Sequence, residues 1–226
     1  MTALRAALTA LMIALAWAPA SAQEAGEPVS GRQLFLMMFV DQGRSIGYQR
    51  MLAGIELEAA RARLERDGAI LEQTERLFER KTVPEIELEI AQLRDAWNRK
   101  QLVVAEKNAE ALGAQFAAIT RIARSAFGED IPAEDLYAAY RESWEAGCDK
   151  GPDEVVAMQA WAAYAEKSLE RARRLHARGS LSLSALLERE AALRIARANA
   201  ESRAARLDRC RAVLFPSLED ILALGD

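Results

Sequence analysis

The sequence has few of the residues that enzymes most often use for chemistry. It holds one histidine and two cysteines in 226 residues, and it contains no glycine-rich phosphate loop, no G-x-S-x-G and no H-E-x-x-H motif. His176 has no cysteine or acidic partners at zinc-ligand spacing, which predicts a surface histidine and no metal site. Glu85, Glu87 and Glu89 alternate, as on a solvated helix face. We therefore expect a protein without a catalytic site, a cofactor or a metal.

Glycine, proline and aromatic residues are also scarce. The sequence has 12 Gly, 6 Pro and 6% aromatic residues, whereas Ala, Leu, Glu and Arg are abundant. Because these four side chains lose little freedom in a helix, the composition predicts an all-α protein made of long helices. The formal net charge is −4, with both signs interleaved. This pattern argues against a nucleic-acid partner or a polybasic lipid anchor.

The first 22 residues follow the order of a secretory signal peptide. Arg5 precedes an apolar run from Ala6 to Trp17, and small residues lead up to Ala22. A retained membrane anchor is the alternative, but the run is shorter than the roughly 20 apolar residues that span a bilayer. Cleavage after Ala22 predicts a periplasmic protein. It removes one basic and no acidic residue, so the formal net charge falls from −4 to −5. We expect no membrane span in the mature chain.

Turn residues divide the rest of the chain into two antiparallel helical hairpins. Leucines at helical spacing lie on both sides of the segment from Lys81 to Pro84, and proline favours the first turn of a new helix. The same arrangement returns about 98 residues later, where Gly179 and Ser182 are natural caps. The predicted organisation is a signal peptide (1–22), a first hairpin (23–126, tip near 81–84), a linker with a short helix (127–152), a second hairpin (153–214, tip near 179–182) and a C-terminal tail (215–226).

The two tips match in residue type, with residues 76–84 aligned over residues 174–182. This match favours an internal repeat of hairpins, and the alternative is chance similarity between two amphipathic turns. The sequence leaves open whether the hairpins lie side by side or extend as separate arms.

A second pattern concerns how closely the helices pack. Leucines and alanines recur every seven residues from Leu186 to Leu214, which predicts a narrow, alanine-rich seam in the second hairpin. Three glycines near the start of the first helix, Gly43, Gly47 and Gly54, fit either a close approach of backbones or an irregular start.

The two cysteines lie at equal distances from the second tip. Partners in an antiparallel hairpin are equally far from the turn, and the midpoint of Cys148 and Cys210 is Gly179. In an oxidising compartment this symmetry predicts a disulfide that closes the open end of the hairpin. Neither cysteine belongs to a C-x-x-C pair, so a catalytic thiol is not expected.

The stretch from Ala172 to Leu187 carries the second turn, and Leu193 and Ala196 follow on the returning helix. This stretch resembles the periplasmic helix–turn–helix of TolC-like outer-membrane efflux proteins, and residues 76–91 are similar to it. The resemblance implies helical hairpins that contact other hairpins. Ala185 stands where those proteins carry an acidic residue.

The periplasmic adaptor proteins of tripartite pumps carry a similar hairpin. Their tip has an arginine, a leucine four residues later and a serine seven residues beyond that, and Arg171, Leu175 and Ser182 have this spacing. The first tip has other residues in those places. The residues predicted to bind a partner hairpin are Arg171, Leu175, Gly179 and Ser182 in the second tip, and Leu77, Val83 and Pro84 in the first.

The resemblance implies a non-enzymatic role in an efflux or secretion assembly. The expected partners are an outer-membrane channel, a periplasmic adaptor or further copies of this chain. No alternating strand pattern lies between the hairpins, so the chain resembles the helical part of such a channel. An alternative function is that of a periplasmic coiled-coil chaperone or an envelope scaffold. An alternative role for the tip residues is that they only close the hairpins.

Overall fold

The computed structural model describes residues 31–213 and 216–219. The chain separates into two units, Met1–Met38 and Phe39–Asp226, and the contacts reported below lie within the second. The described residues form helices and turns without a strand, which confirms the predicted all-α class. The predicted signal peptide, Leu214 and most of the predicted tail lie outside the described residues. The helices are α1 (Gly31–Glu79), α2 (Glu85–Ala126), α3 (Ala133–Asp149), α4 (Gly151–Ala177) and α5 (Leu183–Ala212).

Local sequence sets where the helices begin. Pro84 and Pro132 precede α2 and α3, and acidic side chains fill the first turns of both helices, where they stabilise the positive end of the helix dipole. At the start of α5, the Ser182 hydroxyl accepts a hydrogen bond from the Ala185 amide at 3.3 Å. The two prolines lack a backbone donor that would be left unpaired, and Ser182 pairs one at the start of α5.

The predicted short helix continues almost directly into the second hairpin. Only Lys150 separates α3 from α4, and its backbone is itself right-handed helical (φ −76°, ψ −17°). Both helices run antiparallel to α2. On α4, Asp153 lies 2.5 Å from Lys107 of α2, and on α3, Gly147 faces Gln115 of α2. The linker helix and the first arm of the second hairpin therefore lie end to end along α2.

The two hairpins lie side by side. Trp97 of α2 stacks on Trp161 and Tyr164 of α4, with ring centroids 6.0 and 5.9 Å apart. Nearer the tips, Lys167 of α4 forms an ion pair with Glu89 of α2 at 2.8 Å. These contacts join one arm of each hairpin, so both tips lie at the same end of the unit. The sequence had left this arrangement open.

Alanine fills most of the positions where helices meet. Of the 14 buried apolar residues among those described, ten are alanine, so the seams are narrow and the backbones approach closely. The alanine-rich seam predicted for the second hairpin is present, with Leu193 and Ala196 buried against Ala165 and Leu169. The buried alanines are Ala53, Ala60, Ala91, Ala111, Ala118, Ala139, Ala157, Ala165, Ala172 and Ala196.

Three of the glycines lie where two helices face each other. Gly43 and Gly47 lie inside α1, where a Cβ atom would stand 3.4 Å from the side chains of Ile119 and Phe116 of α2. This is ordinary van der Waals contact, so a Cβ fits at both positions, and at Gly54, also inside α1, it would face open space. At the start of α4, a Cβ on Gly151 would come within 2.9 Å of Leu207 Cδ1, so the leucine side chain would have to shift.

A disulfide closes the open end of the second hairpin. Cys148 and Cys210 are joined as predicted, with their Cα atoms 5.9 Å apart and a sequence separation of 62. The bond ties the end of α3 to the end of α5, so it anchors both helices at the base of the unit.

We predict that reduction of this bond lowers the melting temperature. A closed loop of this length corresponds to about 4 kcal/mol of unfolding free energy in the chain-entropy model. Thermal unfolding followed by circular dichroism, with and without reductant, measures the change. A Cys148→Ser/Cys210→Ser double variant is the control and should not respond to reductant. Two titratable thiols in the unreduced protein would contradict the prediction.

A buried carboxylate lies in the seam of the first hairpin. The Asp67 side chain of α1 is 2% exposed. It accepts a hydrogen bond from Asn98 Nδ2 at 2.6 Å, and Arg94 Nε lies 2.9 Å away. Both of these residues belong to α2, and Arg66 of α1 adds bonds at 2.8 and 3.2 Å. Burial raises the pKa of Asp67. The hydrogen bonds and the two guanidinium groups lower it by a larger amount, so the net pKa lies below its ordinary value. A paired charge in a helix seam fixes one register, because a shifted helix would leave the charge unpaired.

This lowered pKa predicts a pH-dependent stability. A carboxyl whose folded pKa is depressed stabilises the fold above its unfolded pKa, and the contribution is lost as the pH falls through the folded value. Asp67→Asn should therefore cost about 2 kcal/mol at pH 7 and much less at an acidic pH below the folded pKa. Urea denaturation of both proteins at each pH tests this, with the exposed Glu58→Gln as the control. An Asp67→Asn effect of the same size at both pH values would disprove the assignment.

Candidate interaction site at the hairpin tips

The first tip is a tight turn with two backbone hydrogen bonds. The Thr82 amide donates to the Leu77 carbonyl at 3.0 Å, and the Lys81 amide donates to the Phe78 carbonyl at 2.8 Å. This pair of bonds defines a Schellman motif, which ends a helix by placing one residue in the left-handed conformation. That residue is Lys81, with φ of 56°.

The second tip repeats the same two bonds. The Ser180 amide donates to the Leu175 carbonyl at 2.9 Å, and the Gly179 amide donates to the His176 carbonyl at 2.8 Å. Gly179 takes the left-handed conformation, with φ of 70°. Every donor and acceptor lies 98 positions after its counterpart in the first tip. The two tips therefore close with the same type of turn, a common helix end, and the internal repeat stays a prediction.

His176 helps to hold the second tip closed. The residue is half-buried near the end of α4. Its Nδ1 lies 2.8 Å from the Leu181 carbonyl oxygen, and because a carbonyl oxygen can only accept, Nδ1 is the donor. The first tip has Phe78 at this position. There a different hydrogen bond stabilises the turn, from the Thr82 hydroxyl to the Leu77 carbonyl at 2.8 Å. The one signal in the sequence for this role was the position of the histidine three residues before Gly179, the predicted cap.

Ion pairs hold the two tips next to each other. Arg171 of α4 pairs with Glu87 of α2, and Lys167 bridges Glu89 at 2.8 Å and Glu170 at 2.9 Å. The hydrogen bonds that Lys167 donates to the two carboxylates raise its pKa. Arg171 was predicted to face a partner tip, but in this structure its guanidinium group joins the two hairpins of one chain.

The structure places the seven predicted tip residues around the two turns. Leu77, Val83 and Leu175 are half-buried beneath the turns, whereas Pro84, Gly179 and Ser182 are exposed. The Ser182 hydroxyl is occupied by the cap of α5 and by Ser184 Oγ at 3.0 Å.

The two turns at the tips carry three cations. Residues 80–84 and 178–182 contain Arg80, Lys81 and Arg178, and the exposed Glu79 and Glu85 flank the first turn. All three cations are exposed, and none forms an ion pair within the described part of the chain. The sequence analysis missed this charge, because the two cationic turns become one surface only when the hairpins lie side by side.

No protein-family model, no curated protein and no solved structure matches this chain. The resemblance to TolC-like proteins is therefore a prediction that stands on the tip residues alone. Among residues 31–213 and 216–219, no helix is long and apolar enough to cross a membrane, and no group of three potential ligands could hold a metal ion.

The two left-handed positions give a matched pair of predictions. Gly179→Ala should lower the stability by about 1 kcal/mol, because a Cβ atom is strained at positive φ. Lys81→Gly should have the opposite sign and raise it by up to about 1 kcal/mol. Denaturant unfolding of each variant tests both signs. Two substitutions with the same sign would show that the tips do not share this conformation.

Proposed function

We propose that the chain is a periplasmic helical-hairpin protein that docks with an efflux or secretion assembly through its paired tips. The observation that carries this proposal is the juxtaposition of two turns with the same hydrogen bonds at one end of the unit. A single turn would suffice to close one hairpin. Two matched turns held together by Lys167 and Arg171 form a defined surface that another pair of hairpins can contact.

The charge of this surface indicates the chemistry of the partner. Arg80, Lys81 and Arg178 are exposed and outnumber the two flanking acids, Glu79 and Glu85. Complementary potentials favour partners with acidic residues at the contact, because opposite charges steer association and suppress wrong partners. We infer a partner whose own helical tips carry acidic side chains, such as an outer-membrane channel or a periplasmic adaptor.

Site-specific photo-crosslinking in the native host tests this proposal. One probe replaces Ser180 at the exposed tip, and the matched control replaces Ser202, an exposed serine on the body of α5. We expect adducts with an outer-membrane channel or a pump adaptor from position 180 and none from position 202. Lys81→Glu/Arg178→Glu should reduce the yield at position 180 at least tenfold, whereas a charge reversal at Arg209 should not.

Two outcomes would contradict the proposal. Adducts with many unrelated outer-membrane proteins from both positions would instead assign the chain to the periplasmic chaperones. Adducts only between copies of this chain would assign it a self-assembled scaffold role. In either case the tip residues would serve only to close the hairpins.

A further inference from the structure

A continuous groove runs along one face of α2. Three adjoining cavities of about 570, 380 and 420 Å³ share this face. Gln115 lines the first and second cavities, and Asn108 and Lys150 line the second and third. The floor runs from Gln101 to Ile122, which corresponds to about 30 Å at 1.5 Å per residue. One wall is α1, and the other is α3 with the start of α4.

One end of the groove is apolar. Ile119 and Ile122 of α2, Ile46 of α1 and Trp144 of α3 line the cavity at this end. Ile119 and Ile122 are half-buried and Trp144 is exposed, so these side chains offer apolar surface over the buried Ile46 and Ala118. Such a surface gains free energy by contact with a hydrocarbon chain in place of water.

The other end of the groove is cationic. Glu154, whose side chain is 13% exposed, accepts hydrogen bonds from Arg203 at 2.9 Å and Arg206 at 3.3 Å. Lys150 Nζ lies 3.9 Å from the same carboxylate and donates to Asn108 Oδ1 at 2.7 Å. Four cations and two acids line this cavity, which leaves an excess of two positive charges. The charged lining residues are Arg63, Lys150, Arg203, Arg206, Glu56 and Glu154.

We propose that this groove binds an anionic amphiphile, a single alkyl chain that ends in a phosphate or carboxylate group. The head group lies among Lys150, Arg203 and Arg206, and the chain follows α2 toward Ile119 and Ile122. From Asn108 to Ile122 the floor is about 20 Å long, which is the reach of a long acyl chain. Charge gathered at one end and apolar surface at the other match a molecule with one charged group, whereas a partner helix would carry charges along its length. This proposal does not depend on the function of the tips.

Calorimetric titration of the oxidised full-length protein with octyl phosphate, dodecyl phosphate and inorganic phosphate, all below micelle-forming concentrations, tests the proposal. Each buried methylene is worth roughly a factor of four in affinity. With about half of the added chain surface buried in this open groove, we expect dodecyl phosphate to bind at least tenfold more tightly than octyl phosphate. Inorganic phosphate should bind most weakly.

Paired variants locate the two ends of the ligand. Arg203→Gln/Arg206→Gln should weaken dodecyl phosphate binding about tenfold, whereas Arg209→Gln/Arg211→Gln, which alters exposed cations of the same helix, should leave it unchanged. Ile122→Gln should reduce the difference in affinity between dodecyl and octyl phosphate without changing the affinity for inorganic phosphate. Circular dichroism of each variant establishes that it is folded.

Several results would overturn the proposal. The folded protein could fail to bind any alkyl phosphate, or it could bind all three ligands equally, which would leave only an anion site. Unchanged binding by the Arg203→Gln/Arg206→Gln variant would place the ligand elsewhere. If an acidic amphipathic peptide bound in a manner sensitive to these arginines while alkyl phosphates did not bind, the groove would belong to a partner helix.

Discussion

Alanine at the helix contacts is the constraint on which the rest of this structure depends. A methyl side chain lets two helix axes approach to about 8 Å, near the lower limit for packed helices. At that distance the long antiparallel arms keep one register over many turns, and the buried positions of α1 recur at Ile46, Ala53, Ala60 and Asp67, each seven residues apart.

Close packing of small side chains has an energetic consequence. Alanine buries little apolar area, so each contact stabilises the fold less than a leucine contact would. The structure adds specific interactions at intervals along the arms. They are the hydrogen-bonded Asp67 in the first hairpin, the stack of Trp97 on Trp161 between the hairpins, and the disulfide at the base. Each of these joins two different helices and therefore fixes their relative register.

Local patterns in the sequence predicted much of this fold. Pro84, Gly179 and Ser182 marked the two turns because their backbone preferences act within a few residues. The positions of Cys148 and Cys210 predicted the disulfide because an antiparallel hairpin relates residues by a simple symmetry about its turn. The sequence predicted the lengths of the helices less well. Nothing local showed that α3 would continue into α4 through Lys150, because that residue is compatible with either a turn or a helix.

Features that depend on contacts between the two hairpins could not be predicted in the same way. In the sequence alone, Asp67 is indistinguishable from the many charged residues of a helix surface. Its burial depends on its partners Arg94 and Asn98 on α2. The cationic tip surface and the groove over α2 likewise combine residues that are far apart in the chain. Both exist because the hairpins lie side by side with their tips at one end, and both lose their basis if the hairpins extend separately.

The distance between the two tips tests this central claim most directly. Spin labels on cysteines introduced at Thr82 and Ser180, with the native disulfide kept oxidised, allow it to be measured by double electron–electron resonance. Neighbouring helices lie about 8–10 Å apart, so the account predicts one narrow distribution below about 20 Å, including the label linkers. Two separate arms of 30 or more residues would give a broad distribution centred beyond about 40 Å, which would contradict the side-by-side arrangement.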